Sequence, residues 1–302
     1  MTGSGVKSTA GSSTAGLAVS ALLLNALVWG ISWWPFRELE GHGLHPLWAT
    51  AIIYTFSLAC LLLVRPGAFG KLLQHPSLWL LAAATGLSNV GFNWAVTTGD
   101  VVRVVLLFYL MPAWVVLLAW PLLGERPGAG SLLRLTLALS GLAIVLKTPD
   151  SPWPVPESLA DWLALMGGFS FALTNILLRR LNQTPGEARI LAMFGGGMLM
   201  AGGVALAGTA MGLIAVPPAP STAWVGVAAF ISLAFLSGNL ALQYGASRLR
   251  ASTTSLVMLS EVVFASASSV LLGASELSSR MLLGGGLILL AVLLSTSSSQ
   301  AD

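Results

Sequence analysis

Charge is what this sequence has least of. Asp, Glu, Lys and Arg make up 8% of its 302 residues, against 56% that are apolar. A water-soluble domain of this length cannot hide so much apolar surface, because the core that it could enclose is too small. A single cysteine, Cys60, excludes a disulfide framework and a thiolate metal site. The three histidines, His42, His45 and His75, fall in loops, and none stands at ligand spacing from another His, Cys or acid within a span. Neither a metal nor a cofactor is expected. No HExxH, no Walker motif and no serine elbow with an embedded histidine is present. An enzyme would lack a clustered acid–base set, and ATP would not be used directly. A net charge of +3 gives no reason to expect a nucleic-acid partner.

What the chain does have is about ten apolar runs of roughly 16–25 residues. A helix that crosses about 30 Å of hydrocarbon needs about 20 residues. The runs predict spans at 17–36, 46–64, 78–98, 101–122, 131–147, 160–179, 188–213, 222–244, 252–272 and 281–296. They are too long, and alternate too little, for a membrane β-barrel. The fold class expected is an all-α integral membrane protein with the lipid bilayer as its solvent. Residues 1–16, rich in Gly, Ser, Thr and Ala, read as a disordered tail. The first span ends at Trp33-Trp34-Pro35 with no small-residue cleavage site, which favours a retained helix over a signal peptide. With ten spans and a cytoplasmic N-terminus, 10 of the 14 Lys and Arg fall on the inner side and 4 (Arg37, Arg103, Lys147 and Arg280) on the outer. That bias predicts cytoplasmic termini at both ends.

The chain also repeats itself weakly. At an offset of 150, Asn89 falls on Asn239, Asn93 on Gln243 and Trp94 on Tyr244. At an offset of 138, Gly30-Ile31-Ser32-Trp33 falls on Gly168-Phe169-Ser170-Phe171. Leu123-Gly124-Glu125 has a loose counterpart in Leu272-Gly273 with Glu276. Five spans per repeat turn the second copy upside down in the membrane. Such inverted repeats build a substrate site between two halves that rock to alternate access, which favours a transporter over the rival classes, a channel or a membrane enzyme. The expected organisation is a tail at 1–16, a first repeat at 17–147, a connecting loop at 148–159, a second repeat at 160–296 and a tail at 297–302, around a central cavity.

With ten spans in two halves, Met111-Pro112 within the fourth span and Leu-Gly-Glu at its end, the chain resembles the drug/metabolite transporter superfamily, EamA type. Within it the chain is most similar to the YddG-type exporters of aromatic amino acids in bacterial inner membranes. The resemblance implies a secondary exporter of small molecules, with other amphiphiles such as drugs as the competing substrates. A monomer is expected, with a proton as one option for coupling. The chain departs from symmetry at Pro112, whose counterpart region has Val262 after Glu261.

Polar and aromatic residues inside spans are the candidate site, because hydrocarbon leaves them unsatisfied. Asn25, Trp29, Ser32 and Trp33 form one stripe of the first span. Asn89 and Asn93 share a face of the third span, and Asn239 and Gln243 a face of the eighth. These amides read either as interhelical glue or as a cavity lining that holds a zwitterion. Ser170 is the repeat partner of Ser32. Tyr109 lies mid-span, and Pro112 removes a backbone bond from the Phe108 carbonyl, leaving either a kink or a substrate-facing break. Trp94 and Tyr244 sit at span ends, as belt or gate residues. Arg37 and Arg103 read as snorkelling ends. Glu261 is the one acid deep in a span. A lone carboxylate there takes up a proton or finds a partner. Its three readings are a structural hydrogen-bonded group, a counter-charge for a substrate ammonium and a proton-coupling group.

Overall fold

Apolar runs without internal turn residues fold as helices, and the computed structural model is helical wherever it describes regular structure. It describes residues 7–124, 128–147, 155–181, 183–246, 248, 257–258 and 260–298. In chain order the helices are α1 (Lys7–Ile31), α2 (Trp33–Gly41), α3 (Pro46–Val64), α4 (Ala68–Leu73), α5 (Leu78–Thr98), α6 (Val101–Phe108) and α7 (Met111–Leu123). There follow α8 (Ala129–Leu146), α9 (Leu159–Arg180), α10 (Gly186–Ala210), α11 (Thr222–Ala246), α12 (Ser260–Leu271) and α13 (Ser279–Ser298).

Five stretches are long and apolar enough to cross a membrane: Gly16–Gly41, Pro46–Val64, Leu159–Leu178, Gly186–Ala210 and Thr222–Leu242. Shorter apolar helices lie at Val101–Val115, Leu135–Val145, Ser260–Leu271 and Ser279–Ala291. Helix α5 is 21 residues long but more polar, and its Thr85, Ser88, Asn89, Asn93 and Thr97 are all buried. The helices bury polar groups and turn large apolar side chains outward, as at Phe230, Leu206 and Val263. That is the pattern of a bundle solvated by lipid.

Two expectations are corrected. Helix α1 already begins at Lys7, so part of the stretch assigned to a disordered tail is helical. The Ala, Ser and Thr residues from 8 to 15 hold no proline to stop the helix from running back from its apolar part. In the fourth span the break comes at Tyr109–Leu110, before Pro112. Pro112 is the second residue of α7, in the first helical turn, where a missing N–H costs nothing. The proline starts a helix instead of kinking one.

Helix α1 packs on α11 and α12, and α9 packs on α5, α6 and α7. Helix α10 packs on α3 and α5, α3 also on α11, and α8 on α13. Exchanging α1 with α9, α3 with α10, α5 with α11, α6–α7 with α12 and α8 with α13 maps these contacts onto each other. Nearly all of them run between the first half of the chain and the second. The halves are interleaved, so the sequence repeats are not separate packing units.

At one end of the bundle the Arg37 guanidinium donates to the Val96 carbonyl (3.2 Å) and to that of Gly99, capping the end of α5. Beside it, Arg103 in the first turn of α6 grips Asp161 in the first turn of α9, with Nε to Oδ1 at 2.8 Å and Nη2 to Oδ2 at 2.9 Å. Arg103 Nη1 also donates to the Val145 carbonyl of α8 at 2.7 Å. Asp161 completes a capping box with Ser158. Arg103 is therefore the tie between α6, α8 and α9, and not a snorkelling end.

Candidate functional site

The centre of the bundle is an array of aromatic rings. Trp29 of α1 stacks on Phe235 of α11, with centroids 4.4 Å apart, and meets Phe92 of α5 edge-on at 6.4 Å. Phe92 lies 4.8 Å from Phe108 at the end of α6, and Phe108 lies 5.5 Å from Phe171 of α9 and 6.3 Å from Tyr109. Five helices thus contribute rings to one continuous line. Trp29, Phe108 and Phe171 are half-buried. Such a line offers a substrate large apolar faces at low entropic cost.

The array ends on Glu261, a buried acid that lies in the first turn of α12 and not deep within a helix as expected. Tyr109, in the break between α6 and α7, donates its hydroxyl to Glu261 Oε2 at 3.0 Å. The same hydroxyl lies 3.3 Å from the Met258 carbonyl. Glycines set this contact. A Cβ on Gly30 would fall 2.8 Å from the Glu261 carbonyl oxygen, and one on Gly168 would fall 2.5 Å from that of Phe108. Gly30 brings α1 against α12, and Gly168 brings α9 against the end of α6. The two glycines correspond in the repeat at offset 138 and do the same work. Asn175 of α9 donates to Met111 Sδ at 3.6 Å, next to the break.

The other expected residues serve mainly as helix-to-helix ties. Asn25 donates to the Gly238 carbonyl at 2.8 Å, joining α1 to α11. Asn89 accepts from the Tyr54 hydroxyl at 2.8 Å, and Asn93 donates to Thr50 Oγ1 at 3.3 Å, joining α5 to α3. The side-chain oxygens of Asn25 and Asn93 are buried and have no partner among the described residues. Ser32 bonds back to the Trp29 carbonyl. Trp33 is buried and donates to Ser268 of α12 at 3.0 Å. Ser170 is buried, and Asn239 is half-buried and engaged in contacts. The side chain of Gln243 lies outside the described residues, as does that of Pro112. Tyr244 carries the Arg248 guanidinium over its ring at 3.7 Å.

Trp94 packs edge-on against His45 at 5.2 Å. His45 caps α3 by accepting from the Leu47 N–H at Nδ1, 3.3 Å away, and burial pushes its imidazole below the ordinary value of 6.5. Two pockets open at the end that holds the α5–α6 turn. One, of about 380 Å³, is lined by Asp100, Ala274, Ser275, Glu276 and Met281, and the other, of about 470 Å³, by His45, Trp94 and the end of α10. Of the expected site residues only Trp94 lines either pocket, so neither is the expected central cavity.

Trp29, Tyr109 and Glu261 of this line are among the candidates that the sequence offers, whereas Phe92, Phe108, Phe171 and Phe235 are not. A phenylalanine in an apolar run carries no signal that separates it from core. Asn175 was findable, since it is an amide in the middle of the sixth span. The Arg103–Asp161 pair was not, because nothing local links residues 58 positions apart.

Two stretches, residues 16–147 and 158–297, each match the model of the EamA-like transporter family. This chain belongs to the EamA-like transporter family. The double match covers nearly the whole chain and divides it where the sequence repeats meet. Members of the family are transporters, which places this chain among membrane carriers of small molecules and not among enzymes. A solved structure described as "Crystal structure of protein" is 18% identical, with a TM-score of 0.59, over 96% of this chain and 98% of that one. At that identity the likeness is one of fold. No curated protein matches the sequence.

Proposed function

We propose that this EamA-family chain is a secondary transporter that moves small amphipathic metabolites, aromatic or apolar amino acids foremost, out of the cell by alternating access. It does so as a monomer of ten spans in two inverted repeats, in a bacterial inner membrane with both termini cytoplasmic. The observation that carries the reading is the aromatic line ending on Tyr109 and Glu261 where elements of both repeats meet. The symmetric exchange of helix contacts supports the repeat, and the charge bias supports the orientation. The interleaved packing changes how access would alternate. The moving units would be helix groups drawn from both halves, such as α1 with α11 and α12 against α9 with α5, α6 and α7. A second reading, export of drugs or other small metabolites, is favoured by the single carboxylate at the end of the array.

Uptake into proteoliposomes of labelled amino acids and aromatic amphiphiles, with and without a pH gradient, tests the proposal. Saturable uptake of aromatic solutes is expected. Trp29→Ala should reduce it about tenfold or more, since removing a stacked indole costs more than the 1.4 kcal/mol that a factor of ten represents. No protein-dependent uptake of any member of the panel would contradict the proposal. Unchanged uptake by a normally expressed Trp29→Ala would return Trp29 to packing.

A further inference from the structure

Two arginines stand at the end of the bundle that holds the α5–α6 turn, and they do different work. Arg103 grips Asp161 within one helix group, that of α9 with α5, α6 and α7. Arg37 spans two groups. It sits on α2, which packs on α11 and whose Trp33 donates to Ser268 of α12 at 3.0 Å, so α2 belongs with α1, α11 and α12. Its guanidinium reaches across to the Val96 and Gly99 carbonyls at the end of α5. Gly99 is in turn held against α9, since a Cβ there would fall 2.6 Å from that of Ala160.

The two contacts differ in what parting them costs. Separating Arg103 from Asp161 would leave two opposite charges unpaired in a largely buried place. Parting Arg37 from α5 frees two carbonyls at a helix end, which water satisfies at modest cost. The guanidinium then keeps a partner on its own helix, the Trp33 ring, whose centroid lies 5.2 Å away. Arg37 therefore joins the two groups by bonds that can be released and remade, and the negative end of the α5 dipole favours their return.

The sequence repeat makes this contact one-sided. At an offset of 138, Arg37 falls on Asn175. Asn175 instead bonds the Phe171 carbonyl of its own helix and Met111 of α7. Exchanging the repeats turns the α2–α5 contact into one between the end of α9 and α11. Those two helices, each described along its whole length, make no comparable contact. Two identical repeats would favour neither of their mirror packings. A tie carried by one copy favours the packing that keeps it.

Resting on the transport reading above, we infer that Arg37 is the bolt of a gate at this end of the carrier, the end that the charge bias turns outward. The gate opens when α2 leaves the end of α5, and the Arg37 bonds set how rarely it does so.

The test places spin labels on Gly41→Cys, at the end of α2, and Thr98→Cys, at the end of α5, in the full-length Cys60→Ser protein in lipid nanodiscs. Both positions are exposed, and a Cβ at Gly41 meets nothing within 4 Å. Double electron–electron resonance reads the distance between the labels. With Arg37 in place, one short distance should dominate over a minor longer one. Arg37→Ala should raise the longer population about tenfold, a factor worth about 1.4 kcal/mol, and Arg37→Lys, which keeps a donor, should raise it less. A control pair at Thr98→Cys and Trp162→Cys, both within the α5–α9 group, should not change. An unaltered Gly41–Thr98 distribution in Arg37→Ala overturns the inference. An equal change in the control pair overturns it too, because Arg37 would then be a general structural tie. In proteoliposomes, a bis-maleimide that joins the two introduced cysteines at 41 and 98 should arrest uptake. Continued uptake by the cross-linked protein overturns the gate and leaves the transport reading standing, whereas no uptake by the wild type ends both.

Discussion

His45 holds two contacts at one end of the bundle, the cap of α3 and the edge of Trp94. The cap needs a neutral ring, because a protonated imidazole has no lone pair with which to accept the Leu47 N–H. Burial lowers the folded-state value below 6.5, so the neutral form is favoured on folding. The stability that this contributes is fully present above about pH 6.5 and is lost as pH falls through the folded-state value. Thermal unfolding in detergent from about pH 8 to about pH 5 should show this loss in the wild type and a flatter profile in His45→Asn, which keeps an acceptor and removes the titration, the difference being within about 1 kcal/mol. Matching profiles would mean that the cap is indifferent to charge. At this scale the sequence disclosed residues whose chemistry is unusual for their surroundings, such as Trp29 and Glu261. It disclosed nothing about residues whose role lies in a contact. Asp161 reads locally as a helix cap, and its grip on Arg103 appears only when α6 and α9 are side by side.

Helices here are placed by what they lack at the contact. The Cβ of Gly168→Ala would meet the Phe108 backbone oxygen at 2.5 Å, and a backbone oxygen cannot rotate away. The substitution should cost about 1–3 kcal/mol, as overpacking does, and should reduce transport more than expression by pushing the Tyr109 break away from α9. Gly226→Ala is the control, since a Cβ there meets nothing within 4 Å. Unfolding temperatures and uptake rates of the two variants decide it, and equal behaviour would remove Gly168 from the positioning of the site. Element positions were largely legible, because a run of about 20 apolar residues has few other fates. Helix breaks were not. Proline marked the region of the fourth span correctly but not the break itself, since Pro112 is as well suited to open α7 as to interrupt a longer helix. Helix α2 begins one residue beyond Ser32, and no proline or glycine at that position announces the interruption.

Across the whole molecule, the repeat in the sequence and the exchange symmetry of the packing describe the same duplication. What the sequence could not convey is that the two copies are threaded through each other. Offsets of 138 and 150 align residues within helices but say nothing of which helix touches which. The interleaving has a consequence for mechanism. Sliding one sequence half past the other would break nearly every major contact at once, whereas exchanging between two symmetric packings breaks one set and makes its mirror. On the transport reading proposed above, the aromatic line and Glu261 form the site of a carrier that opens to one side at a time. Substrate counterflow tests this most directly. Proteoliposomes are loaded with unlabelled substrate, diluted into a trace of labelled substrate, and the label inside is followed with time. A transient overshoot of internal label above its equilibrium level, lost in Trp29→Ala, is the result expected of such a carrier. A label that rises monotonically to equilibrium, unaffected by the internal load, would show an open pathway and contradict it.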